Sequence, residues 1–386
     1  MKKDWTTIRR VMGLSCIVVG LIWACAVQMK GATGRVQESA SQNGSASDTP
    51  TFQNAHLEKR AARGTLTEEV RNWSGATTAP RWMGYSVTAV EGDRTICCSN
   101  WDGANHNCGV CQLEGQHSGI KVNSAKENGT VHLEGSKRLA VLLRAENGRL
   151  QKIRVFSGDC TVDAGGREVL WLESVKDSDS VTMLTGYVKA EKAAREDESL
   201  GNEALTAIAL DADASAEKAL LSFVEPAQPE WLRKETAFWL GEARGADGFH
   251  ALQKMARNDA SAHVREQVTF ALSVSKDPDA VNEMIRMAHD DASAQVRGQA
   301  LFWLAQKAGK KAEGTIEGAI QNDPDTEVKK KAVFALSQMP KDEGVPKLIE
   351  VAQTNHNPEV RKQAMFWLGQ SEDPRALAFF EKVLGQ

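Results

Sequence analysis

The sequence predicts an α+β multidomain protein, with an all-α solenoid at the C-terminal end preceded by a small antiparallel β domain. Three observations carry this. The segment Arg233 to Leu240 returns every 32 residues without insertion. Asn147-Gly148 stands between two alternating apolar runs. Beyond the first 26 residues, all the cysteines fall between positions 97 and 160, in the β-prone stretch.

The repeat is the strongest signal. Arg233 to Leu240 recurs as Arg265 to Leu272, Arg297 to Leu304, Lys329 to Leu336 and Arg361 to Leu368. A fixed period of this size marks a stacked array of helix pairs. A degenerate earlier copy has Ile208 in the Leu place and Leu220 at the start of its second helix. In the first helix of each unit, Val264, Val268, Ala271 and Leu272 fall on one helical face, and Val296, Ala300, Trp303 and Leu304 repeat it. The second helix carries Leu252, Met255 and Ala256, then Met284, Met287 and Ala288, then Ile316, Ala319 and Ile320, then Leu348, Val351 and Ala352. Asp277-Pro278 and Asp373-Pro374 turn the chain between helices.

Two aligned aromatic positions join the expected repeat core. One is Phe238, Phe270, Phe302, Phe334 and Phe366, followed two residues on by Leu240, Leu272, Leu304, Leu336 and Leu368. The other alternates large and small as Trp239, Ala271, Trp303, Ala335 and Trp367. Close packing reads this alternation as a Trp of one unit filling the room beside the Ala of its neighbour. The competing reading is an aromatic stripe for a ligand.

With Asp259 before Val264-Arg265, Asp291 before Val296-Arg297 and Asp323 before Val328-Lys329, the unit resembles the HEAT repeat. The variety is the short one shared with phycobilisome-lyase-like proteins, and the resemblance covers about residues 201–386. It implies a ladder of bonds between successive units through Asp259, Arg265, Asp291, Arg297, Asp323, Lys329 and Arg361. Lys329 departs from the pattern, and so does Asn355, which replaces the Asp of the last copy. The resemblance speaks to fold and says almost nothing of activity.

Residues 81–190 read as the β domain. Trp82 to Val90, Thr95 to Cys98, Ile120 to Val122 and Val131 to Leu133 are short β-prone runs. Arg138 to Arg144 and Arg149 to Phe156 flank Asn147-Gly148 as a hairpin, and Val169 to Val175 and Val181 to Val188 complete the expected strands. Cys97, Cys98, Cys108, Cys111 and Cys160 are disulfide candidates in an oxidising compartment. The spacing of Cys108 and Cys111 also suits a zinc knuckle or a redox pair, although no second ligand pair and no βαβ pattern accompany it.

Residues 1–26 read as a signal peptide or a membrane anchor. Lys2, Lys3, Arg9 and Arg10 precede the apolar run Val11 to Trp23, and Ala24-Cys25-Ala26 fits a cleavage site before Val27. Cys25 is alternatively a site of lipidation. Residues 27–80 read as a low-complexity linker: Gly31 to Pro50 has almost no apolar side chains, with a short helix near Asn54 to Trp73 on Leu57, Leu66, Val70 and Trp73.

The expected localisation is therefore exported, periplasmic or extracellular, with a possible membrane tether through the N-terminal segment. The net charge of −4 argues against a nucleic-acid partner, which calls for a basic face. No histidine is followed by Glu, which removes the H-E-x-x-H motif, and no P-loop, G-x-S-x-G or G-x-G-x-x-G is present. Lys307, Lys310 and Lys311 read as a solvated loop or an anion contact. No catalytic residue, metal ligand or cofactor is expected. The expected function is an exported non-catalytic scaffold or adaptor that binds a protein partner on the solenoid surface. The alternative is a lyase-like or thiol-based enzyme or accessory factor acting on a prosthetic group or disulfide.

Overall fold

The computed structural model describes residues 49–91, 99–101, 106–108, 111–114, 137–158, 160–191 and 199–385. The expected signal segment, Cys97, Cys98, and the β-prone runs near 95, 120 and 131 lie outside these. Residues 47–386 form one compact unit.

The chain opens with β1 (Thr51–Ala61), α1 (Leu66–Ala76) and β2 (Arg81–Thr88). The short strands β3 (Ser99–Trp101), β4 (His106–Cys108) and β5 (Cys111–Gln112) follow. Then come β6 (Arg138–Glu146), β7 (Arg149–Ser157), β8 (Thr161–Glu173) and α2 (Asp177–Ala190). The main sheet runs β1-β8-β2-β6-β7, with β5 pairing β8, while β3 and β4 pair with each other.

This sheet corrects three expectations. It is mixed rather than wholly antiparallel: β8 lies between β1 and β2 and runs parallel to both. Only β2-β6-β7 is antiparallel. Residues 51–61, expected within a linker, supply an edge strand, and the short helix expected near Asn54 to Trp73 lies further on, as α1. β1 is mostly exposed and gains its place through backbone pairing with β8, which a search for apolar anchors overlooks. Val181 to Val188, expected as a strand, lies in α2, where Val181, Leu184 and Val188 share one buried helical face.

The hairpin forms where expected. Asn147 and Gly148 both take positive φ, 53° and 73°, the conformation of the tight turn between β6 and β7. On one face of the sheet Trp82, Leu142, Phe156, Val169 and Trp171 build an apolar cluster that also holds Cys111 and Cys160. Gly84 lets the indole of Trp171 in: a Cβ there would stand 2.7 Å from it. On the other face α2 covers β2, and the Tyr85 hydroxyl is 3.0 Å from the Ser180 hydroxyl. Burial on both faces explains why β2 and β6 are almost continuously apolar.

The solenoid begins with α3 (Leu200–Leu210) and α4 (Ala214–Phe223), the degenerate first pair. The five regular units follow. They are α5 (Glu230–Ala243) with α6 (Gly245–Asn258), then α7 (Ala262–Val274) with α8 (Ala280–Asp290). Next are α9 (Ala294–Ala308) with α10 (Glu313–Asn322), and α11 (Thr326–Ser337) with α12 (Lys341–Thr354). The last is α13 (Pro358–Gln370) with α14 (Pro374–Leu384). Leu240, Leu272, Leu304, Leu336 and Leu368 are all buried, and so are Met255, Met287, Ile320 and Val351 from the second helices. The first pair is not separate from the sheet, because α3 packs on both β7 and α2.

Candidate functional site

Two arrangements repeat along the array: one fixes its pitch and the other gives it a surface. The first is the arginine–aspartate ladder. Each Asp ends a second helix, and its carboxylate accepts from the backbone N–H two residues on, as Asp291 does from Ser293 at 2.8 Å. An arginine 26 residues earlier then grips the same carboxylate with two donors. Arg233 takes Asp259 at 2.8 and 3.1 Å. Arg265 takes Asp291 at 2.8 and 2.9 Å, and Arg297 takes Asp323 at 2.7 and 2.9 Å. Nη1 of Arg265 and Arg297 also caps Asp259 O and Asp291 O, at the end of the preceding second helix. Burial alone would push the Asp291 and Asp323 carboxyls up, but the guanidiniums and backbone donors hold both below the ordinary value.

The ladder stops after three rungs. Lys329 turns back to Gln321 O at 2.8 Å, and Asn355 accepts from Asn357 N–H at 2.9 Å. The lysine has no planar fork to match an amide two atoms wide. Arg361 caps only the backbone, Asn355 O and His356 O, in the loop that leads into α13. Arg233 was absent from the expected ladder and is its first rung; the offset of 26 residues to an Asp would have found it. Lys307, expected in solvent, is half-buried and donates to Ser273 O and Ser275 O at 2.7 and 2.6 Å, closing the end of α7. Lys310 and Lys311 are exposed.

The second arrangement is a line of rings on the first helices. Phe238 stacks on Phe270 at 5.8 Å, and Phe302 on Phe334 at 5.7 Å. Between these pairs Trp303 meets Phe270 at 4.8 Å, and Trp367 meets Phe334 at 4.8 Å. Trp239, Trp303 and Trp367 each stand edge-on to the Phe of their own unit at 4.8 to 5.0 Å. The rings therefore touch without a break from Trp239 to Phe366. Trp303 crosses back over the unit whose corresponding residue is Ala271, so the large–small alternation is what lets a ring reach the neighbouring Phe.

The Phe residues are not core, contrary to expectation. Phe238, Phe270, Phe302 and Phe334 are half-buried, and Phe366 is 51% exposed. Residues two apart on a helix point about 200° apart, so a Leu facing inward obliges the Phe two places before it to face out. Trp303 is buried at 7% exposure, while Trp239 and Trp367 are half-buried.

Three residues before and four after each Phe lie on the same side of the helix. These places hold Glu235 and Glu242, Gln267 and Val274, Gln299 and Gln306, Lys331 and Gln338, and Gln363 and Gln370. All are at least partly exposed. The face thus offers flat apolar rings bordered from Phe270 onward chiefly by neutral amides that both donate and accept, with Lys331 among them and Glu235 and Glu242 at the Phe238 end. It suits non-covalent holding, and among the described residues no group of three His, Cys, Asp or Glu side chains is placed to hold a metal. In the β domain Cys111 is buried and Cys160 is disulfide-bonded. Cys108 lies in β4.

The family model for HEAT repeats matches residues 216–305 and 313–386. No curated protein matches the sequence. Human deoxyhypusine hydroxylase is similar at 17% identity over 53% of this chain and 90% of its own, with a TM-score of 0.28. The phycocyanin lyase complex of CpcE and CpcF from Nostoc sp. PCC7120 is similar at 18% identity, over 52% of this chain and 79% of that one, with a TM-score of 0.30. A Kap121p mutant is similar at 13% identity over 53% of this chain and 26% of its own, with a TM-score of 0.35. The C-terminal helical array of this chain is a HEAT-repeat solenoid.

Proposed function

We propose that this protein is an exported, non-catalytic scaffold that holds a protein partner against the outward Phe and Gln face of its first helices. The observation that carries the reading is the unbroken line of ring contacts from Trp239 to Phe366, on a side of the array that no other described element covers. Aromatic rings give large contact area at low conformational cost, and amides answer the donors and acceptors of a peptide backbone. The sheet domain closes the first end of the array, so the solenoid presents this face as a rigid surface. The N-terminal segment serves as the export signal or tether, and at least one pair of the β-domain cysteines forms a disulfide.

A photo-crosslinking residue placed at Gln299 or Gln363 tests the site in the producing cell. One protein adduct from both positions, lost in Phe302→Ser/Phe334→Ser, is the expected result. Adducts from control positions on the second helices, such as Gln321, with none from Gln299 and Gln363, would move the binding face elsewhere. N-terminal sequencing tests export: a mature chain starting at Val27 is expected, and Met1 recovered from membranes favours the anchor.

A further inference from the structure

The junction between the sheet domain and the solenoid contains a cluster of charged groups with no part in the partner-binding face. The two layers are stitched by backbone. Val90 N–H donates to Leu210 O and Ala212 N–H donates to Thr88 O, both at 2.9 Å, around an antiparallel bridge between Ala89 and Asp211. Asp211 is fully buried there. Its Oδ1 accepts from Asp213 N–H at 2.9 Å, and its Oδ2 has no hydrogen-bond partner.

Arg244 reaches the same place from the end of α5, but it spends Nη2 on the backbone oxygens Ile208 O and Asp211 O, at 2.7 and 2.8 Å. Its Nε makes no hydrogen bond and stands 3.8 Å from Glu217 Oε2, while Glu217 Oε1 is buried and unpartnered as well. Three orphaned buried polar atoms from three side chains therefore meet at one seam. An orphaned buried polar atom costs free energy, and such clusters mark a place held for something other than stability.

The charges around Asp211 are unbalanced. Asp177 on α2, which accepts from Thr88 N–H, and Asp213 before α4 both act on Asp211, Tyr85 on β2 faces it, and Asp247 on α6 acts on Glu217 across Arg244. Among the described residues, Arg244 is the one cation acting on Asp211. One guanidinium, already engaged with two carbonyls, does not neutralise both the Asp211 and Glu217 carboxyls.

We propose that this cluster is a pH-operated latch, which holds the sheet domain on the first helix pair in acid and loosens that contact as the pH rises through neutrality. The protonated carboxyl of Asp211 is neutral and can donate from Oδ2, whereas the carboxylate is a buried charge among further acids. Burial holds the Asp211 carboxyl up at about 7 and also raises that of Glu217. The direction of the effect follows. When the seam is open, the carboxyl is solvated and titrates near its ordinary value of about 3.9. The closed seam therefore binds an extra proton between about pH 4 and 7, and its advantage is complete below that window and lost as the pH rises through it.

Hydrogen exchange of the full chain reads the latch directly, because the amides of Val90 and Ala212 are the two stitches. After correction for intrinsic exchange, their protection should fall between pH 5 and 7, by up to about tenfold per pH unit, and level off above. Protection at Leu304, deep in the array, should stay flat. In Asp211→Asn, which cannot ionise, protection at Val90 and Ala212 should lose most of its change with pH, leaving only the part owed to Glu217. The carboxyl carbon resonance of Asp211 in the unmodified chain gives a second reading that needs no variant, with a midpoint near neutrality expected. A midpoint near 4, or an equal pH slope in the unmodified and Asp211→Asn chains, overturns the proposal.

Discussion

Replacing Arg297 with Met removes the last complete rung of the ladder while keeping a side chain of similar length. The Arg297 side chain is 10% exposed and that of Asp323 6% exposed, so the pair is largely shielded from water. The change deletes two charge-assisted bonds to Asp323 and the cap on Asp291 O. Asp323 keeps only the backbone N–H of Asp325, at 2.9 Å. Removing one partner of a buried ion pair costs about 3–5 kcal/mol. The lower end applies here, since the surviving donor and the loop position of Asp323 ease its isolation, and we expect about 3 kcal/mol. Asp323→Asn retains the shape and one acceptor, and should cost about 1–2 kcal/mol. Urea unfolding of the full chain, followed together with exchange at α9 and α11, gives both values and the coupling of the double variant. A coupling of about 1.5–3 kcal/mol is expected for contacting charged groups. A coupling below about 0.5 kcal/mol, the value of an exposed ion pair, would show that the rung is ornamental and that apolar stacking alone sets the pitch.

The missing rung can be installed: Lys329→Arg with Asn355→Asp should raise stability by about 1 kcal/mol, and neither change alone should do so, as the unfolding midpoints will show. Trp303→Ala should cost about 3–5 kcal/mol, because it removes a buried ring that bridges Phe270 and Phe302; an unchanged midpoint with lost partner binding would make that ring part of the binding face instead. Ala335→Trp should cost about 1–3 kcal/mol, since Ala335 is fully buried and Trp367 already lies against Phe334. Acid should unlock the ladder: Asp291 and Asp323 are held low when folded, so their contribution is present above about pH 4 and fades as the pH falls below it. Thermal melts from pH 6 to 2 should show this loss, and Asp291→Asn/Asp323→Asn should shrink it.

The helical array was legible in the sequence because each unit repeats the same local problem. A 32-residue period with Leu240 and its successors on one face obliges the helices to stack, and the Asp and Arg positions carry their meaning within that frame. The Asn147-Gly148 turn was equally local, since only its positive φ angles join β6 to β7 with the right twist. What the tertiary structure alone decided is non-local. Strand β1 has no apolar signature of its own, and it exists because β8 offers it a backbone edge more than a hundred residues away. The Val181 to Val188 run carries too few residues for its period to separate strand from helix, and the cover it provides for β2 settles the matter. The Phe series was misplaced by counting hydrophobicity without angle, although the two-residue step to each Leu already held the answer. The seam at Asp211 left no trace in the sequence, because an aspartate before a helix reads as an ordinary cap. Its burial, its unpartnered oxygen and its acidic neighbours arise only when a strand from one domain and a helix end from the other close over it.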